Sequence, residues 1–378
     1  MLLYETVARE IAASIRGGAF RQGDKLPSVR RMQRDRRTSA ATIVAAYVKL
    51  EAEGLIEARP RSGYFVRSEP TLLPSWRART PSRASRVHVS AGVEALITAL
   101  GDPAVLPLGA GTVSPELLPT RSLNRTLATL ARGTALAGAE YAPVAGTRAL
   151  RRQLARRAVA WGVAASEDQF LVTVGATEAL HICLRALTRP GDAVAVETPT
   201  FFGLLQLIED LGLRAVEIPV HPEKGLDLDA LEHALRTLPI RACLAVLNVQ
   251  NPYGAILADE GKEKLVRLLA KHDVPLVEDD IYGDLAFDGS RPRIAKSFDR
   301  KGNVYTCGSV SKTLAGGYRV GWILAPENKR PLLERLKYTH TASTPTFMQM
   351  AIAEYLASGR YERHLRSLRV AMNTQVQR

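Results

Sequence analysis

Cysteine is scarce in these 378 residues: Cys183, Cys243 and Cys307 are odd in number and far apart along the chain. That argues against a disulfide framework and against a metal knuckle, and a reducing cytoplasm is the expected home. Long apolar runs are missing as well. Every candidate stretch is cut by a charge, a glycine or a proline before it reaches the roughly 18–20 residues of a membrane helix. Residues 1–20 carry Glu5, Arg9, Glu10 and Arg16, so they lack the apolar heart of a signal peptide. With 46% hydrophobic and 24% charged residues the chain is neither disordered nor collagen-like, and its length predicts two or three folded units.

Acidic charge is short only at one end. Residues 1–90 hold 17 Lys+Arg against 8 Asp+Glu, a net of +9, while the other 288 hold 34 against 30, a net of +4. A small basic module joined to a near-neutral body is the pattern of a nucleic-acid-binding head.

Tyr4, Val7, Ile11 and Ile15 recur at spacings of three and four, which predicts a first helix ending near Gly17-Gly18. The turn Gly23-Asp24-Lys25-Leu26-Pro27-Ser28 suits the start of a short second helix, and Thr38-Ser39 offers an N-cap for a third. In that third helix Ile43, Ala46, Tyr47 and Leu50 face inward, leaving Ala40, Ala41 and Val44 outward. Two short strands around Arg59-Pro60-Arg61-Ser62-Gly63 complete the plan of a winged helix-turn-helix. The third helix can enter a major groove amino end first, with Arg30, Arg36 and Arg37 near phosphates and the Arg59/Arg61 tip near the minor groove or backbone.

These residues resemble the amino-terminal domain of GntR-type regulators. The matching string is Gly23 to Arg30, then Ser39, Thr42-Ile43, Tyr47, Leu50, Gly54-Leu55-Ile56 and Ser62 to Val66. The resemblance adds Ser39, Thr42 and Gly63 to the DNA-contacting set and implies double-stranded DNA as partner. One position departs: Ala40 stands where the family usually has a base-reading arginine, so affinity is expected to lean on phosphates and to fall steeply with salt.

Residues 67–87 hold three Pro, four Ser and five Arg with little periodicity, which reads as a connector. The expected division is 1–67 for the winged module, 68–100 for the linker, 101–340 for a large domain and 341–378 for the start of a further, incomplete one. Beyond residue 100, short β-branched runs at 170–174, 193–197, 214–218, 242–249, 274–278 and 303–307 alternate with helical stretches such as 177–188, 202–211 and 259–272. Such alternation predicts an α/β domain with a mostly parallel sheet covered on both faces.

Ligands on such sheets bind beyond the carboxyl ends of the strands. There stand Gly175-Ala176-Thr177 opening a helix, Pro199-Thr200-Phe201, Gln250-Asn251-Pro252-Tyr253, Glu278-Asp279-Asp280-Ile281-Tyr282, and Gly308-Ser309-Val310-Ser311-Lys312 followed by Arg319. Singly each is weak, since a lone Asn-Pro is usually a turn and a lone strand-end Asp usually an N-cap. Together they supply a phosphate cup, a flat ring partner, an amide, a carboxylate, a phenol, an amine and a guanidinium.

With that set on view, the chain resembles fold-type I pyridoxal-phosphate enzymes of the aminotransferase superfamily, and with the basic module the MocR subgroup of GntR regulators. The resemblance implies that Lys312 forms the internal Schiff base with pyridoxal 5'-phosphate. It implies that Asp279 pairs with the pyridine nitrogen, that Asn251 and Tyr282 bond the phenolic oxygen, and that Phe201 stacks on the ring. Ala176, Thr177, Ser309 and Arg319 would bind the phosphate, and Tyr141 would reach it from the other subunit of a homodimer. Tyr253 replaces the family's usual Thr. A nearby Arg319 and a dry pocket are expected to lower the Lys312 pKa.

Members of the family continue into a small domain whose arginine clamps a substrate carboxylate, and that residue has no counterpart before Arg378. Turnover is therefore in doubt, whereas a cytoplasmic regulator that senses the cofactor, an amine or an amino acid is expected. The alternatives are an aminotransferase with a tethered DNA-binding module, and a plain repressor whose large domain only dimerises.

Overall fold

Two compact units divide the chain, Met1–Arg77 and Ala78–Arg378. This computed structural model describes residues 3–376 other than 22, 60–61, 68–79, 82, 103, 106–110, 134–137 and 287–290. Among the described residues no helix is long and apolar enough to cross a membrane.

In the smaller unit α1 (Leu3–Arg16), α2 (Val29–Arg36) and α3 (Ala40–Ala52) precede a hairpin of β1 (Ile56–Arg59) and β2 (Gly63–Val66). The strands are antiparallel, with Ile56 opposite Val66 and Arg59 opposite Gly63. Val7 and Ile11 of α1 share a buried core with Ile43, Tyr47 and Leu50 of α3. Burying each large side chain of that kind contributes about 1.5–3 kcal/mol. Ser28 and Ser39 start α2 and α3, their hydroxyls accepting the Arg31 N–H at 3.3 Å and the Thr42 N–H at 3.1 Å. Those amides would otherwise be free at a helix start. Tyr47 donates its hydroxyl to Pro27 O at 2.6 Å, which ties α3 to the turn before α2. The unit is a winged helix-turn-helix.

The strands of the larger unit are β3 (Ser85–Arg86), β4 (Phe170–Thr173), β5 (Ala193–Thr198), β6 (Arg214–His221), β7 (Gly225–Leu226), β8 (Ile240–Ala245), β9 (Leu276–Asp279), β10 (Val304–Ser309) and β11 (Gly321–Leu324). Its helices are α4 (Ser90–Leu100), α5 (Thr120–Gly133), α6 (Arg148–Ala158), α7 (Gly175–Leu187), α8 (Phe202–Asp210), α9 (Leu228–Thr237), α10 (Asp259–Lys271), α11 (Arg330–Thr341), α12 (Thr346–Ala357) and α13 (Arg360–Val376). Among the described residues the strands make one sheet in the order β3-β6-β5-β8-β9-β10-β11-β4, with β7 paired to β6. From β6 to β10 neighbours are parallel. Strand β11 is antiparallel to both β10 and β4. Val194 and Val196 pack with residues of α7 and α8, while Ala193 and Ala195 pack with residues of α9 and α10. Alternate side chains thus fill cores on both faces, which is why these strands read as unbroken apolar runs. This is the expected α/β architecture, a mostly parallel sheet covered on both faces.

Three segments differ from expectation. Residues 85–86 and 90–100, read as connector, instead pair with β6 and form α4, whose start is capped by Glu209 accepting the Val89 and Ser90 N–H groups at 2.8 and 3.1 Å. The Arg- and Ser-rich composition hid an edge strand too short to show a period. Residues 68–79 and 82 of that connector lie outside the described residues. Strand β11 was not expected, since its four residues follow a Gly-rich turn without alternation. The strand expected at 242–249 begins at Ile240 and ends at Ala245, leaving 246–251 as an irregular segment that bends at Asn248 and Val249, the latter left-handed at φ 53°.

Candidate functional site

Strands β4 and β10 are each antiparallel to β11 and so run in the same direction. The carboxyl ends of β4, β5, β8, β9 and β10 therefore open on one rim, where this class of sheet takes ligands. A cavity of about 170 Å³ lies there, close to the ~150 Å³ that accepts one aromatic ring. Of the residues expected to hold the cofactor, Ala176, Thr177, Phe201, Asp279, Tyr282, Lys312 and Arg319 line it. Asn251 reaches it through Tyr282, its Nδ2 donating to the phenol oxygen at 3.2 Å. Ser309 stands one hydroxyl behind: it is buried, donates to Val320 O at 2.8 Å, and lies 2.8 Å from Ser311 Oγ. Tyr141 is elsewhere, 88% exposed and beside a separate cavity with Phe347 and Met348.

At one end of the cavity α7 presents its amino terminus. Gly175 opens the helix at φ 81°, and Thr173 donates its hydroxyl to Gly175 O at 2.9 Å. Arg319, itself left-handed at φ 51°, directs its guanidinium across this turn, donating to Val174 O at 3.3 Å and to Ser311 Oγ and Gly316 O at 3.4 Å. Free helix N–H groups beside a guanidinium and two hydroxyls form an anion cradle.

Asp279, the last residue of β9, lines the same cavity. Its Oδ1 is buried and has no hydrogen-bond partner among the described residues. Burial, and then the neighbouring Asp280, pushes its carboxyl up to about 7, against the pull of the Ile281 N–H and the Lys312 ammonium. Burial also raises the Tyr282 phenol above its ordinary value, opposed by the bond from Asn251.

Lys312 sits in the turn after β10, with Nζ 5.9 Å from the Tyr282 ring centre and donating to Gly111 O at 2.6 Å. Its pKa is lowered by burial, the dry pocket of the two expected causes, with Asp279 opposing. Arg319 is not among the causes; its guanidinium donates to the Val174 and Gly316 carbonyls and to Ser311.

Sequence reasoning missed Ser311, which lines the cavity and meets Arg319, although it sat in the same Ser-x-Ser-Lys string. It also missed Gly203, where a Cβ would lie 2.4 Å from the Phe201 ring, so this glycine lets the ring fold back over the start of α8. A buried cluster of Asp280, Arg291, Asp284 and Arg157 behind the cavity left no local signal at all.

In the smaller unit Arg30 and Arg37 are exposed, and so are Ala40, Ala41 and Val44 on α3. Arg36 is ion-paired with Glu10. Ser39 and Thr42 hold each other, their hydroxyls 2.8 Å apart at the amino end of α3. Arg59 donates to Glu57 at 2.8 Å and stacks 4.4 Å from the Phe65 ring centre. Gly63 begins β2 at φ 100°. Arg61 lies outside the described residues.

Residues 106–378 match the family of aminotransferases class I and II, and residues 3–66 match bacterial regulatory proteins of the gntR family. The chain is 38% identical over 379 aligned residues to the uncharacterized HTH-type transcriptional regulator YdcR of Escherichia coli K12, covering all of this chain and 81% of that one. It is 36% identical to a second such regulator from the same strain, YjiR, over 98% of this chain and 78% of the other. Among solved structures it is similar to the kynurenine aminotransferase of Pyrococcus horikoshii in complex with PMP, with TM-score 0.69, 27% identity, and coverage of 75% and 70%. With an aminotransferase-like domain over most of its length and a gntR-family head before it, the chain belongs to the MocR subgroup of the GntR regulators.

Proposed function

We propose that this chain is a cytoplasmic transcription regulator that binds double-stranded DNA through its winged module. In the same reading it binds pyridoxal 5'-phosphate in the Lys312 cavity, works as a homodimer, and responds to the cofactor or to a small amine or amino acid. The observation that carries the reading is the Asp279 carboxylate, buried, without a partner at Oδ1 among the described residues, and lining a cavity that also holds Lys312. A buried carboxyl oxygen without a partner is costly, and a ring N–H is the partner that would relieve it. The close approach of Arg319 to Gly175 supports a phosphate at the amino end of α7. The residues therefore fit the group.

Bound there, pyridoxal phosphate supplies an aldehyde for amines and a protonated ring that draws electrons. Asp279 would keep that ring nitrogen protonated, Asn251 and Tyr282 would hold the phenolic oxygen, and Phe201 would cover a ring face. Ala176, Thr177, Ser309, Ser311 and Arg319 would take the phosphate, and Tyr141 would serve the cavity of the partner subunit. Lys312, eased toward its neutral form by burial, is the amine with which a small amine effector would compete. On the winged module the exposed Arg30 and Arg37 would meet phosphates. The exposed pairs of Arg36 and Arg59 are worth under about 1 kcal/mol and can exchange carboxylate for phosphate.

The test is reconstitution of the purified chain with pyridoxal phosphate. We expect a visible absorbance band, borohydride reduction that fixes the cofactor's mass on Lys312, and neither in Lys312→Ala. A wild-type chain that stays colourless overturns the cofactor reading. Duplex binding that fails to weaken with added salt overturns the DNA reading. Steady release of keto acid from common amino acids would favour the aminotransferase alternative.

A further inference from the structure

Helix α13 does not line the cofactor cavity, yet it grips two of the segments that build it. The Tyr361 hydroxyl donates to Asp284 Oδ2 at 2.8 Å and lies 2.9 Å from Thr313 Oγ1. A hydroxyl has one proton, so with that proton on the carboxylate Tyr361 accepts from Thr313. One turn along, His364 Nε2 is 2.7 Å from Thr313 O, and because a carbonyl only accepts, His364 is the donor. Thr313 directly follows Lys312, and Asp284 stands two residues after Tyr282.

The far end of this contact is fixed. Arg157 donates to Asp284 Oδ2 at 2.9 Å and lies 4.2 Å from the Tyr361 ring centre. Arg291 donates to Asp284 Oδ1 at 2.7 Å and pairs also with Asp280, next to Asp279. The turn that carries Lys312 and the segment that follows Asp279 at the end of β9, carrying Tyr282 and Asp284, therefore meet on one side chain of α13.

We infer that Tyr361 is a positioning residue that sets the distance between the Lys312 amine and the Asp279 carboxylate, acting through Thr313 and Asp284. The inference rests on the reading of this cavity as a pyridoxal-phosphate site. A covalent anchor and an ionic anchor at opposite ends of one rigid ring need a fixed separation, because misplacement by about an ångström costs much of the benefit of orientation. The turn at 311–314 closes on Val310 O, which accepts from the Thr313, Leu314 and Ala315 N–H groups, and α13 ties that turn from outside to the segment after β9.

The test uses Tyr361→Phe, which keeps the ring and its packing, and Thr313→Val, with Thr313→Ser as the conservative rescue. Cofactor affinity is read by absorbance titration, and its orientation by the induced circular dichroism of the visible band. Each of the first two variants should weaken binding about tenfold, as for a lost buried hydrogen bond, and lower the induced dichroism. The double variant should lose no more, and Thr313→Ser should recover both. Wild-type affinity and dichroism in Tyr361→Phe and Thr313→Val, or losses that multiply in the double variant, overturn the inference. Should Tyr361→Phe fail to fold, Thr313→Val and its serine rescue decide the matter alone. A wild-type chain that takes up no cofactor sinks the underlying reading instead, which the variant comparison cannot do.

Discussion

Arg319 crosses Gly175 so closely that a methyl group on that glycine would lie 2.4 Å from the Nη2 atom. Gly175 also sits at φ 81°, a conformation that side-chain-bearing residues adopt only at a cost. Gly175→Ala should therefore displace Arg319 and strain the start of α7. Binding of pyridoxal phosphate is expected to weaken about tenfold or more, as for a lost charge-assisted contact, and stability to drop by about 1–3 kcal/mol. Absorbance titration and urea unfolding check the two effects separately. Unchanged affinity would remove Arg319 from the phosphate site.

The Asp279 carboxyl titrates at about 7 in the folded chain, against an ordinary value of 3.8, through burial first and Asp280 second. Between those values the folded state keeps a proton that the unfolded state has released. Stability from this group is then full below 3.8 and declines as pH rises through that window. Glu278, raised to about 7, and Glu197, raised to about 8, act in the same direction. Cofactor-free Asp279→Asn should lose stability less steeply with rising pH than the wild type does. Urea midpoints measured across the window decide it, and parallel slopes would contradict the assignment.

Ser39 caps α3 and holds Thr42 at the amino end of the helix proposed to meet DNA. Ser39→Ala should cost the winged module about 1 kcal/mol, whereas Ser39→Asn, which keeps a capping oxygen, should cost far less. Hydrogen exchange of α3 amides reads this directly. Equal protection in both variants would show that the cap contributes nothing.

Arg30 is exposed on the first turn of α2. If it neutralises a phosphate, Arg30→Ala should lower the slope of log affinity against log salt by about one and weaken all sequences alike. A loss confined to one sequence would instead place Arg30 at a base.

Much of the site could be read from the chain because its chemistry is punctuated by strand ends. Gly175, Phe201, Asn251, Asp279 and Lys312 each follow an apolar run by a residue or a few, and the structure brings these runs to one rim of one sheet. The capping serines of α2 and α3 were legible for a similar reason, since a cap acts within three residues of itself. Strand β11 was not legible. Its four residues carry no period of their own, and only their pairing between β10 and β4 makes them a strand.

The sequence by itself determined the periods, the caps, the basic head and the order of chemical groups along the strand ends, because each depends on near neighbours and on local backbone preference. The tertiary structure alone decided which distant groups meet. It set Cys183 and Cys307 side by side, 3.7 Å apart in the core, and it placed Tyr361 against Thr313 and Asp284, 48 and 77 residues away. It also chose Ser311 over Ser309 as the hydroxyl that faces the cavity. Such meetings follow from how helices cover the two faces of a sheet, and no window of the chain short enough to show a period contains them.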